Sequence, residues 1–170
     1  MKCRSFLVFT SVAFAQSLAF AMATSAVSGA DRKFVAGVSQ GGMFEVQLGK
    51  LAATHAHSQD ILDQGTTEAH DHELVGAKLK TIATRLGLSF PAALNSDFEQ
   101  KLDRLKALNG KAFDNAYLRA MEIIHAKDGA AFAKEAKTGT NTDLRSFAAE
   151  TYRIVERHIG ELKAVGPERN

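Results

Sequence analysis

Along most of the chain, apolar side chains recur every three or four residues, with short polar breaks between the runs. That is the rhythm of helices with one buried face. The first run extends from about Asp31 to His57, with Asp31 as its expected N-cap and Phe34, Val38, Gly41, Leu48 and Ala52 on the inward stripe. A second run covers about Gln59 to Leu86, carries Leu62, Ala69, Val75, Leu79, Ile82 and Leu86 inward, and stops at Gly87. Leu88 to Asn95 contains Pro91 and reads as a connection. A shorter helix follows over about Ser96 to Leu108, with Phe98, Leu102 and Leu105 inward and Asn109-Gly110 as its stop. A third long helix spans about Ala112 to Lys137, and Thr138 to Asn141 form the next turn. Asn141 or Thr142 then caps a fourth long helix to about Lys163, with Leu144, Phe147, Thr151, Ile154, Val155 and Leu162 on one face.

No segment alternates with the period of a strand, and no internal repeat is present. Four long helices, each with one apolar stripe and short connections, predict an all-α fold. The expected form is an antiparallel four-helix bundle over residues 31–163, with one extra short helix between helices two and three and a flexible tail over 164–170. Gly65 and Gly76 lie inside the second helix, where each costs about 1 kcal/mol relative to alanine. They are expected to disturb that helix without abolishing it.

Ahead of the bundle, Met1-Lys-Cys-Arg4 is short and basic and leads into an uncharged apolar run from Phe6 to Ala23. This is the pattern of a secretory signal peptide over residues 1–23, with a cut near Ala21-x-Ala23 or as late as residue 30. Removing it takes Lys+Arg from 21 to 19 against 19 acidic residues and deletes Cys3, the one cysteine. A neutral mature domain gives no electrostatic case for nucleic acid or an anionic membrane as partner. Without cysteine it can use neither disulfides nor thiolate ligands. Nothing after the signal is expected to span a bilayer.

The candidate chemistry lies in polar residues on stripes that should be apolar, because a buried polar group must be paired. Glu45 falls on the first stripe, His72 on the second, Asp114 and His125 on the third and His158 on the fourth. Counting from the turn near Ser58 puts Glu45 and His72 level. Counting from Gly139 leaves His125 and His158 offset by five residues, about 7.5 Å at 1.5 Å per residue. A site using both would need a kink or a long reach. Glu122 and His125 form an E-x-x-H pair, and Glu68 stands four residues before His72, where the two could converge. Ferritin-like di-metal centres use two E-x-x-H pairs, and only one is present, which argues against a standard di-iron oxidase.

Two readings stay open. Glu45, His72, Asp114, Glu122, His125 and His158 are candidate ligands for a single zinc, copper or iron ion. Alternatively they form a hydrogen-bonded network, with Glu45 accepting from His72 and Asp114 orienting His125 or capping backbone. His55, His57 and His70 are expected to face solvent. No P-loop, G-x-S-x-G, H-E-x-x-H or dinucleotide fingerprint is present, so nothing nominates a nucleophile and the reading leans away from an enzyme.

Asp31-Arg-Lys-Phe34, Gly42-Met-Phe-Glu45, Leu48 to Ala52, Asp71-His72, Leu105 to Gly110, Phe113-Asp114, Tyr117-Leu118, His125, Phe147-Ala148 and His158 occur in an order that resembles a known family. It is the bacterial exported domain-of-unknown-function family 4142, often labelled an outer-membrane protein. The resemblance implies a ferritin-like helical bundle in the periplasm or cell envelope. It also implies Glu45, His72, Asp114, His125 and His158 as site positions, and carries no particular activity. Asp63 to Thr67 departs from the family's more hydrophobic approach to the Asp-His pair. A metal-binding envelope protein and a non-catalytic binding or stress-related bundle are the two functions expected.

Overall fold

A computed structural model describes residues 26–165, so the expected signal peptide and the tail beyond 165 lie outside the described residues. Five helices make up the fold: α1 Gly29–His55, α2 Gln59–Arg85, α3 Ser96–Lys106, α4 Gly110–Thr138 and α5 Thr142–Val165. No strand occurs among the described residues. The start of α1 departs from the expected Asp31 cap. Ser28 is the cap, and Asp31 sits three residues inside, its carboxylate accepting from the Ser28 N–H at 2.7 Å. This reciprocal capping box satisfies two otherwise orphaned donors. The other oxygen of Asp31 accepts from the Thr140 N–H at 2.9 Å, tying the head of α1 to the α4–α5 turn. Asn141 caps α5, its side-chain oxygen accepting from the N–H groups of Asp143 and Leu144. α2 ends as expected at Gly87, whose positive φ of 64° lets the Leu88 N–H reach back to the Ala83 carbonyl. At the other end α5 continues through Val165, so residues 164 and 165 are helical where a tail is expected.

α1 packs along α2 and α4, α5 packs along α4 and α2, and α3 lies against α1 and α4. The interior is divided. One apolar cluster gathers Phe44, Leu48, Ile61, Phe113, Met121 and Leu162, and a second gathers Val38, Leu79, Phe132, Leu144, Phe147 and Val155. On α2, α4 and α5, buried polar side chains fall where one cluster gives way to the other, at Glu68 and His72, His125, and His158; α1 adds Glu45 beside Phe44. The helices therefore enclose a polar layer between two oily ones.

The α1–α2 seam is closed by glycines rather than by side chains. A Cβ on Gly49 would stand 2.5 Å from the Gly65 carbonyl oxygen, and one on Gly65 would stand 2.5 Å from the Ala52 methyl. Gly65 thus permits a close backbone crossing, whereas Gly76 has open space around it. No helix among the described residues is long and apolar enough to cross a membrane.

Candidate metal centre

Glu68 and His72 stand four residues apart on α2, a spacing that stacks two side chains on one helical face. α4 contributes His125 and α5 contributes His158, and all four residues are buried. One oxygen of Glu68, Oε2, lies 3.2 Å from His72 Nε2, 3.3 Å from His125 Nε2 and 3.0 Å from His158 Nδ1. His125 Nε2 and His158 Nδ1 are 3.3 Å apart. The four ligand atoms all fall within 4.8 Å of one another. A tetrahedral ion with bonds of about 2.05 Å sets its ligand atoms about 3.3 Å apart, the edge of the tetrahedron. The observed separations from Glu68 match that edge.

Each group facing the centre is held from behind. His72 Nδ1 pairs with Glu45 Oε2 at 3.2 Å, and His125 Nδ1 donates to the Met121 carbonyl at 2.8 Å. His158 Nε2 donates to Asp71 Oδ2 at 3.0 Å. With these protons placed outward, each imidazole presents a lone pair to the centre, the arrangement that orients metal-ligating histidines. The second oxygen of Glu68 accepts from the Gln64 amide at 2.5 Å, and the Gln64 oxygen in turn accepts from the Tyr117 hydroxyl. Inside the ring, by contrast, Glu68 Oε2 and His72 Nε2 make no hydrogen bond of acceptable geometry.

The charges follow from this crowding. Burial pushes the Glu68 carboxyl up, but the surrounding imidazoles of His125, His158 and His72 outweigh it and hold it far below the usual carboxylate range. Burial pushes His125 down, yet its contact with Glu68 and the charges of Glu45 and Glu68 raise it to about 9. His72 is raised in the same way, against burial, by Glu45 and Glu68. The carboxylates therefore demand positive charge, which protons or a cation can supply.

Glu45 and His72 meet level, as counted from their turn. His125 and His158 also meet, although counting leaves them about a turn and a half apart. The reason is side-chain lean. The bond to Met121 draws the His125 ring back one turn towards the start of α4. Asp114 lies elsewhere: its two oxygens accept from the N–H groups of His57 and Ser58 at 2.9 and 3.0 Å, so it holds the α1–α2 turn and does not orient His125. Glu122 is half-buried and outside the four-residue group. Glu68, central here, shares a face with His72 by its spacing. Gln64 stands one turn before Glu68, and Asp71 is marked in the sequence only as part of the Asp71-His72 motif; polarity alone gives neither a role.

Fold and site together define a class: an all-helical bundle with a three-histidine, one-glutamate cluster sealed at its middle. The chain belongs to the family described as a domain of unknown function, DUF4142, whose model matches residues 16–165. No curated protein and no solved structure matches it.

Proposed function

We propose that this protein is an exported, non-enzymatic metal-binding bundle that holds one zinc-type divalent ion between Glu68, His72, His125 and His158. The observation that carries the reading is the convergence of four buried ligand atoms within 4.8 Å of one another, each of their side chains engaged from behind. Three nitrogens and one oxygen suit zinc better than magnesium or calcium, which take six or more oxygens. Four protein ligands leave no open position for substrate, so the ion is held rather than used for hydrolysis. The lengthwise packing of α1 with α2 and of α4 with α5 across short turns supports an antiparallel, ferritin-like four-helix bundle. The apolar run from Phe6 to Ala23 supports export to the periplasm or envelope.

Elemental analysis of protein purified without chelator and reloaded with zinc tests the reading. About one ion per chain is expected, with His72→Ala and His125→Ala holding less than a tenth of that. Absence of stoichiometric metal from the wild type refutes it and leaves the structural hydrogen-bond network in its place.

A further inference from the structure

All four ligands are buried, so an ion must reach them through the bundle wall. A cavity of about 260 Å³ opens between α1 and α2, walled by Val46, Val75 and Leu79. Its polar side is formed by Glu45, His72 and Asp128. His72 is one of the four ligands, so the cavity touches the centre itself.

Two buried carboxylates meet on that side, and Glu45 Oε1 lies 3.6 Å from His125 Nδ1. Glu45 is 1% exposed, and its Oε1 atom has no hydrogen-bond partner. Asp128 is 3% exposed, and the Glu45 charge is among those its carboxyl faces. Burying two carboxylates within reach of each other is costly, and native interiors rarely keep such a pair without a use for it. The sequence also makes room for Asp128, since a Cβ on Gly41 would fall 1.8 Å from Asp128 Oδ2. A mid-helix glycine, itself costing about 1 kcal/mol, seats this carboxylate against α1.

From this juxtaposition we infer that the α1–α2 cavity is the entry route for the ion and that Glu45 and Asp128 form a transient cation site passing it to His72. The inference rests on the metal reading above. The walls are mostly apolar, with exposed Gln47, Glu73 and Lys80 also bordering the cavity, and the two buried carboxylates supply the attraction at the inner end. Glu45 then connects the steps, because its other oxygen already holds the back of His72. A relay of this kind changes loading and release by the same factor and leaves the equilibrium affinity alone.

The test is the rate at which metal-free protein takes up Co²⁺, followed by the visible absorption of tetrahedral cobalt, with affinity measured separately by chelator competition. Asp128→Asn should slow both loading and release about tenfold, the scale of a lost attracting charge in a cleft. Affinity should stay within about threefold. Gly76→Leu places a side chain in the cavity wall at a position with open space and leaves both carboxylates intact. It should slow both steps as well. Wild-type rates in both variants overturn the route. So does a loss of affinity in Asp128→Asn that matches its slower loading, because Asp128 would then support the centre rather than feed it. A wild type that takes up no cobalt overturns the metal centre and the route together.

Discussion

Asp71 gives the sharpest separation between a metal centre and a structural network, because it touches the site only through the back of one ligand. Its Oδ2 atom accepts from His158 Nε2 at 3.0 Å and also meets the Arg157 guanidinium. The Asp71 side chain is 19% exposed and Arg157 is 52% exposed, so the ion pair contributes less than about 1 kcal/mol to folding. Its effect on a bound ion is larger, since losing the partner behind a ligating histidine costs about 10- to 100-fold in metal affinity. Asp71→Asn keeps an acceptor oxygen and removes the charge, so the expected loss is near tenfold, about 1.4 kcal/mol. Asp71→Ala removes both and should approach 100-fold, about 2.7 kcal/mol. Zinc affinity by competition with a chromophoric chelator, measured beside urea denaturation of the metal-free proteins, reads both quantities. Metal-free stability that falls by more than about 1 kcal/mol while zinc affinity stays within about twofold would refute the reasoning, since Asp71 would then serve the fold alone.

Zinc at about 100 times its dissociation constant adds about 2.7 kcal/mol and should raise Tm by about 10 °C, with a chelator restoring the lower value; a Tm indifferent to both counts against the centre. Glu135 is pushed up to about 7 by burial and by the neighbouring Asp31 carboxylate. The folded protein therefore binds a proton that the unfolded chain has released, and stability falls as pH rises from about 4.5 to about 7. Glu135→Gln should remove that loss, stabilising by about 1 kcal/mol at pH 8 after allowance for solvent screening and by nothing at pH 4; equal Tm changes at the two pH values would contradict this. Gly49→Ala drives a methyl into the Gly65 backbone and should cost about 1–3 kcal/mol in urea denaturation. Gly76→Ala meets nothing and should gain up to about 1 kcal/mol; the opposite order would discredit the close crossing.

The helices were legible because their apolar stripes are long and their stops are chemical, as at Gly87. The start of α1 was misplaced: Ser28-Gly-Ala-Asp31 is a capping-box pattern in which Ser28, not Asp31, is the cap. The second stripe passes through Leu62 in the sequence pattern whereas Ile61 is the buried residue, so Glu68 was legible only through its spacing to His72. A stripe about 100° wide holds both Ala69 and Glu68, and polarity alone does not say which side is sealed. Residue counting placed Glu45 against His72 but parted His125 from His158, because it follows Cα positions and a histidine ring travels a turn from its own. Asp128 gave no signal in sequence. Its burial depends on Gly41, a residue on another helix.

Gly49 and Gly65 bring the α1 and α2 backbones into contact a turn away from the polar layer. Glu45 precedes Gly49 by one turn, and Glu68 follows Gly65 by three residues. With no side chain between the helices to act as a bearing, neither can slide or spread along the seam without backbone meeting backbone. On the proposed metal reading, the four side chains would therefore be held in place before any ion arrives, and stiffness is a form of discrimination. An ion content with four neighbours finds them already in place, whereas one that insists on six, as magnesium does, meets a frame that does not open to admit the other two.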